Sequence, residues 1–231
     1  MDSCNQIIKI LQSNSSEESK KGMARYGISV ENAFGTGIPL LRTIAKEYKK
    51  NHELALQLWK TGYHEARILA SIIEDPQKVG ECQLESWVND FYSWDLCDQC
   101  CMNLFCFTPF AWQKAIEWSN RPEEFVKRAS FALMASLSLQ KIKTENSSYL
   151  PFFEIIYNAA DDNRPMVKKA VNWALRQIGK RNFVLNNIAI QWSEKILLKE
   201  SKSAKWIASD ALKELKSKSV QIKIDKRQPF L

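Results

Sequence analysis

Apolar residues recur three and four positions apart along almost the whole chain, which is the period of helices with one buried face. The spacing predicts a short amphipathic helix at 5–13, and a polar stretch at 14–18 that is either a loop or a cap. The segment 16–26 follows, and then a helix at 39–48. Further helices are expected at 51–60, 64–74, 80–91, 93–106, 109–119, 122–140, 149–160, 163–179, 184–197 and 203–216. Gly35-Thr-Gly-Ile-Pro39 is a break, and Pro39 suits the first turn of the helix that follows it. No two-residue hairpin with flanking alternation is found, and seven Gly and seven Pro are few for an all-β chain of 231 residues. The predicted class is therefore all-α, with residues 1–216 forming one domain. Residues 217–231 are basic and alternate only weakly through Val220, Ile222 and Ile224, so a loose C-terminal tail is expected there.

The helices echo one another. Glu65-Ala-Arg-Ile-Leu-Ala, Lys127-Arg-Ala-Ser-Phe-Ala, Val167-Lys-Lys-Ala-Val-Asn and Ser203-Ala-Lys-Trp-Ile-Ala each place a cation near a helix start, ahead of small and apolar residues. Arg128 aligns with Lys169 at a step of 41, and Ala170 with Ile207 at a step of 37. Steps near 40 between helix pairs mark HEAT-type repeats. The expected architecture is an α-solenoid, or superhelix, of HEAT-like repeats whose stacking leaves a concave face.

Charge makes that face interesting. The net charge is +7, but residues 1–115 carry 12 Lys+Arg against 14 Asp+Glu, while residues 116–231 carry 21 against 12. A basic half suggests an anionic partner such as nucleic acid or a membrane surface, or else a solvated surface with no partner. No apolar run is long enough to span a bilayer, and Met1-Asp2-Ser3-Cys4 does not resemble a secretory leader. The six cysteines are therefore expected as thiols in an intracellular, reducing compartment: cytoplasm, nucleoid or nucleus. Cys97-x-x-Cys100-Cys101 reads as buried thiols on a helix rather than as a metal knuckle, because His52 and His64 lie far away in sequence. Gly-x-Gly-x-x-Gly, the P-loop and His-Glu-x-x-His are all missing. Any chemistry must then run on carboxylates and aromatics.

Two helices carry such residues. On 163–180, Val167, Val171, Ala174 and Ile178 fall within an arc of about 60°. Lys169, Trp173, Arg176 and Lys180 form a second stripe on roughly the opposite side. Trp173 thus sits among cations, where it either grips a sugar, base or phosphate or packs on a neighbouring repeat. On the other helix, Ser93 suits an N-cap and Asp95 the first turn, and Trp94 and Asp98 share a face. Leu96, Cys100 and Phe107 are expected on the far side. A Trp beside a carboxylate can sandwich a sugar and stabilise positive charge on it, or can be an ordinary helix pair. Lys127 and Arg128 open a further helix that would add phosphate contacts, and Lys168, Lys169, Arg176, Lys180 and Arg181 thicken the same band.

Met-Ala-Arg-Tyr at 23–26, Ser-Trp-Asp-x-x-Asp at 93–98, Lys-Arg-Ala at 127–129 and Asn-Trp-Ala-Leu-Arg at 172–176 occur in that order on the predicted repeats. Together they resemble the AlkD-type DNA alkylation repair family, the HEAT-like-repeat DNA glycosylases. The resemblance runs from Met23 to about Leu215. It implies a monofunctional alkylpurine DNA glycosylase that removes positively charged N3- and N7-alkylated purines from double-stranded DNA in base excision repair. It further implies a monomer with a concave basic groove, using no cofactor, metal or membrane. By the same resemblance Trp94, Asp98 and Trp173 match the active-site trio, Arg128 and Arg176 match backbone-contacting arginines, and Tyr26 matches a tyrosine near the cleft. Some relatives of this fold bind branched or distorted DNA without cutting the glycosidic bond. A non-catalytic DNA binder and a protein-binding HEAT scaffold therefore stand as rivals.

Overall fold

The computed structural model describes residues 3–140 and 144–225. The described residues form fourteen α-helices and three short 3-10 turns, with no strand among them. Within what the sequence reads as one domain, the residues fall into two compact units, Met1–Phe110 and Ala111–Leu231.

The first unit holds α1 (Ser3–Ser13), α2 (Glu17–Arg25), α3 (Ile38–Ala45), α4 (His52–Lys60), α5 (His64–Ile73), α6 (Glu81–Asn89) and α7 (Trp94–Asn103). Its centre is α5, which packs on α3, α4 and α7. Small side chains at Ala66, Ala70 and Ser71 let the neighbours approach, and most of α5 is buried. The break before α3 is held from within. The buried carboxylate of Glu65 accepts the backbone N–H groups of Phe34 (2.9 Å), Gly35 (2.6 Å) and Thr36 (3.1 Å). Gly35 has φ +78°, and a Cβ there would meet Ser16 O at 2.4 Å, so only glycine fits.

The helix expected over 93–106 stops earlier. Leu104 leaves helical geometry at φ −131°, ψ −64°, and a 3-10 turn, Phe105–Phe107, follows. A continued helix would point Phe105 and Cys106 away from the buried arc of Leu96 and Cys100. The turn buries both, and it leaves Phe107 half-exposed outside the helix rather than on its far side.

The second unit holds α8 (Ala111–Glu117), α9 (Glu124–Leu139), α10 (Leu150–Ala159), α11 (Pro165–Gly179), α12 (Phe183–Leu197), α13 (Lys202–Leu215) and α14 (Lys218–Asp225). Helices α8/α9, α10/α11 and α12/α13 pack as pairs, and α9, α11 and α13 pack side by side. The starts of α9, α11 and α13 at 124, 165 and 202 reproduce the 41- and 37-residue steps of the sequence. Side chains tie each pair to the next. Arg128 donates to Met166 O at 2.6 Å, Arg164 to Pro122 O at 2.6 Å, Asn172 to Ile207 O at 3.1 Å, and Ser203 to Asp162 O at 2.8 Å.

Gly179, the last residue of α11, is buried where three helices meet. A Cβ there would lie 2.7 Å from both Ala189 Cβ and Leu215 Cδ2. Gly179→Ala is expected to destabilise the protein by about 1–2 kcal/mol, because overpacking outweighs the helix-propensity gain. Denaturant unfolding reads this directly, and a stabilised variant would refute the packing argument.

The tail expected at 217–231 is corrected in part. Residues 218–225 form α14, which buries Val220 and Ile224 and is fastened by Gln221 Nε2 donating to Leu215 O at 2.6 Å. The spacing of 220 and 224 is one helical turn, so the apparent alternation is a helical stripe. Residues 226–231 lie outside the described residues.

Candidate nucleic-acid interface

In α7 the core takes Leu96, Cys97, Cys100 and Cys101, all fully buried. That leaves Trp94 and Asp98, one turn apart, half-buried on the other face. Ser93 occupies the N-cap position in extended geometry, but its side chain makes no capping bond. Trp94 is fixed by its indole Nε1, which donates to the carbonyl of Tyr26 at 3.0 Å. Tyr26 caps the C-terminus of α2, and the residue is 71% exposed. The structure therefore brings Tyr26 to Trp94 through its backbone and leaves the phenol to solvent.

Asp95 turns the other way. Its Oδ2 lies 2.8 Å from Nε2 of the fully buried His64, whose Nδ1 lies 2.9 Å from the Tyr92 hydroxyl. Nε2 donates to the Asp95 carboxylate, while Nδ1 shares a hydrogen bond with the Tyr92 hydroxyl, which can either donate or accept. Burial raises the cost of charge on Asp95, but the His64 hydrogen bond and charge outweigh it and hold the carboxyl below its ordinary value. Burial pushes the Tyr92 hydroxyl up to about 12, so it stays protonated. The sequence gives no signal for this α5–α7 link, because 31 residues separate His64 from Asp95. Burial also pushes the Cys100 and Cys101 thiols well above the usual range. Among the described residues no group of three or more His, Cys, Asp or Glu is placed to hold a metal ion.

On α11 the stripe of Val167, Val171, Ala174 and Ile178 is buried, as the period predicts. On the other side Lys169 is exposed, while Trp173, Arg176 and Lys180 are half-buried. With its amide turned so that the oxygen faces them, Gln177 accepts from Trp173 Nε1 at 3.1 Å and from Lys180 Nζ at 3.2 Å. Trp173 thus stands among polar partners on the face opposite the core.

The cations of this band meet carboxylates that the sequence reading passed over. Arg176 Nη1 reaches Glu214 Oε2 at 2.5 Å, Lys180 Nζ reaches Glu214 Oε1 at 2.6 Å, and Asp210 Oδ2 lies 3.6 Å from Arg176 Nε. Burial works against the charge on Glu214, but Lys180 and Arg176 together hold it below its ordinary value. Lys127 lies 3.3 Å from Asp162, which also pairs with Arg164. Arg128 is only 5% exposed and serves as a tie between repeats through Met166 O. The repeat step could have found Glu214. It lies 38 residues after Arg176, close to one repeat, so it falls beside it on the adjacent helix.

Two surfaces result. One carries Trp94 and Asp98 with Tyr26 beside them, and the other carries Lys169, Trp173, Arg176 and Lys180. Aromatic faces and a carboxylate can stabilise a cationic sugar, and the cations can hold phosphate.

Residues 7–215 match the family model described as DNA alkylation repair enzyme. A comparison with curated proteins gives no match. Among solved structures, one is similar at 22% identity with a TM-score of 0.77, covering 91% of this chain and 94% of its own. That protein is described as belonging to a new family of proteins related to the HEAT-like repeat DNA glycosylases with affinity for branched DNA structures. The likeness shows the fold: this chain is an all-α protein of the HEAT-like-repeat type.

Proposed function

Because the chain belongs to the DNA alkylation repair enzyme family, we propose that it is a monofunctional DNA glycosylase that releases N3- and N7-alkylated purines from duplex DNA. The observation that carries this reading is the surface of α7, where Trp94 and Asp98 stand one turn apart off the core, with the Trp94 ring fixed by Tyr26. An alkylated purine already carries positive charge. When its N-glycosidic bond breaks, the electron pair leaves with the base as a neutral purine, and positive charge develops on the deoxyribose. Asp98 stabilises that charge and takes the proton from the water that adds to the sugar. The indole face of Trp94 packs on the cationic sugar, and Trp173, among the cations of α11, offers an aromatic face to the DNA. Lys127, Lys169, Arg176 and Lys180 hold backbone phosphates, while Arg128 fixes the repeat beneath them. The reaction needs no cofactor and runs on a monomer.

A second reading, a non-catalytic binder of damaged or branched DNA, is favoured by the similar structure's affinity for branched DNA. Binding to a duplex with one 7-methylguanine and to a four-way junction, measured across a salt series, separates the two. The glycosylase reading expects the duplex to be bound at least as tightly as the junction. Affinity should fall steeply with salt, by roughly one power of salt concentration per phosphate contact. A strong junction preference without base release supports the second reading, and binding indifferent to salt removes both.

A further inference from the structure

We propose that Glu214 is a built-in stand-in for a DNA phosphate, which sets DNA affinity by occupying Arg176 and Lys180 until a backbone phosphate displaces it. This rests on the reading that Arg176 and Lys180 contact DNA. The two oxygens of Glu214 are divided between the two cations, at 2.5 Å to Arg176 Nη1 and 2.6 Å to Lys180 Nζ. A backbone phosphodiester offers the same divided pair of oxygens to the same donors and carries the same single negative charge. The clamp is accessible: all three side chains are between a quarter and a third exposed. A hollow of about 680 Å³ lined by Gln177, Lys180, Arg181 and Glu214 leaves space for an incoming anion.

Arg176 is also incompletely satisfied in this arrangement. Its Nε is buried without a hydrogen-bond partner, and Asp210 Oδ2 at 3.6 Å is too far to accept from it. By holding the cations in a phosphate-ready spacing, Glu214 lowers the ordering cost of binding. By neutralising them, it weakens attachment to DNA that makes no other contacts.

The test is Glu214→Gln, measured on an undamaged duplex by fluorescence anisotropy across a salt series. Glu194→Gln serves as the control, because Glu194 pairs with Lys216 in an exposed bridge and its loss changes net charge equally. Glu214→Gln is expected to tighten binding on the order of tenfold at low salt and to steepen the salt dependence by about one to two contacts. Glu194→Gln is expected to change affinity by less than about twofold. If Glu214→Gln, confirmed as folded by its thermal transition, binds no tighter than Glu194→Gln, the stand-in is overturned while the DNA reading survives. Absence of salt-sensitive DNA binding by the wild type overturns both. If Glu214→Gln does not fold, the wild type still decides by NMR titration of the Glu214 carboxyl. The carboxyl is expected to titrate below the ordinary glutamate range when free and to return toward it with DNA bound. An unmoved titration overturns the proposal.

Discussion

Glu65→Ala is expected to cost about 3–5 kcal/mol, enough to unfold much of the first unit under mild denaturant. The carboxylate is buried, and it accepts three consecutive backbone N–H groups from Phe34, Gly35 and Thr36. Alanine removes the acceptor and strands three donors where little water reaches them, and each stranded donor costs about 1–3 kcal/mol before relaxation. Glu65→Gln keeps one acceptor oxygen but turns an NH₂ toward a donor, so an intermediate loss is expected. Denaturant unfolding, together with hydrogen exchange at residues 34–36, reads the effect. A loss below about 1 kcal/mol for Glu65→Ala would show that the loop is held by something else.

Asp98→Asn is expected to lower base excision by roughly two to three orders of magnitude, the cost of removing one electrostatic stabiliser of a developing charge. Asparagine keeps the size of the side chain and its place one turn from Trp94, so the indole bond to Tyr26 O should persist. Affinity for undamaged duplex should therefore change by less than about twofold, because the phosphates are held by cations on α11. Equal losses of binding and excision would make Asp98 a structural residue. Excision at the wild-type rate would place the chemistry elsewhere.

The regular parts of this protein were readable because they repeat. The buried stripe of Val167, Val171, Ala174 and Ile178 follows from a period of 3.6, and it leaves Trp173 off the core. The helix starts at 124, 165 and 202 follow from the cation-small-apolar echo. Pro39 marks the start of α3 for the local reason that its missing N–H costs nothing there. What escaped is tertiary. His64 and Asp95 meet only because α5 packs on α7. Glu65 looks like any helix-start acid until the loop at 34–36 folds over it. Arg128 reads as a surface cation, yet it lies buried, because its guanidinium reaches across to the carbonyl of Met166 in the first turn of α11. Likewise α14 looked like an extended tail, because two apolar residues one helical turn apart also fit a period of two.

The most direct measurement is release of free 7-methylguanine from an otherwise normal duplex under single-turnover conditions, with wild type and Asp98→Asn side by side against the protein-free rate. Rapid release by the wild type, near loss of release in Asp98→Asn, and an intact duplex backbone until an abasic-site nuclease is added are the expected results. Tight, salt-sensitive binding with no release above the protein-free rate would contradict the glycosylase and leave a DNA-binding protein in its place.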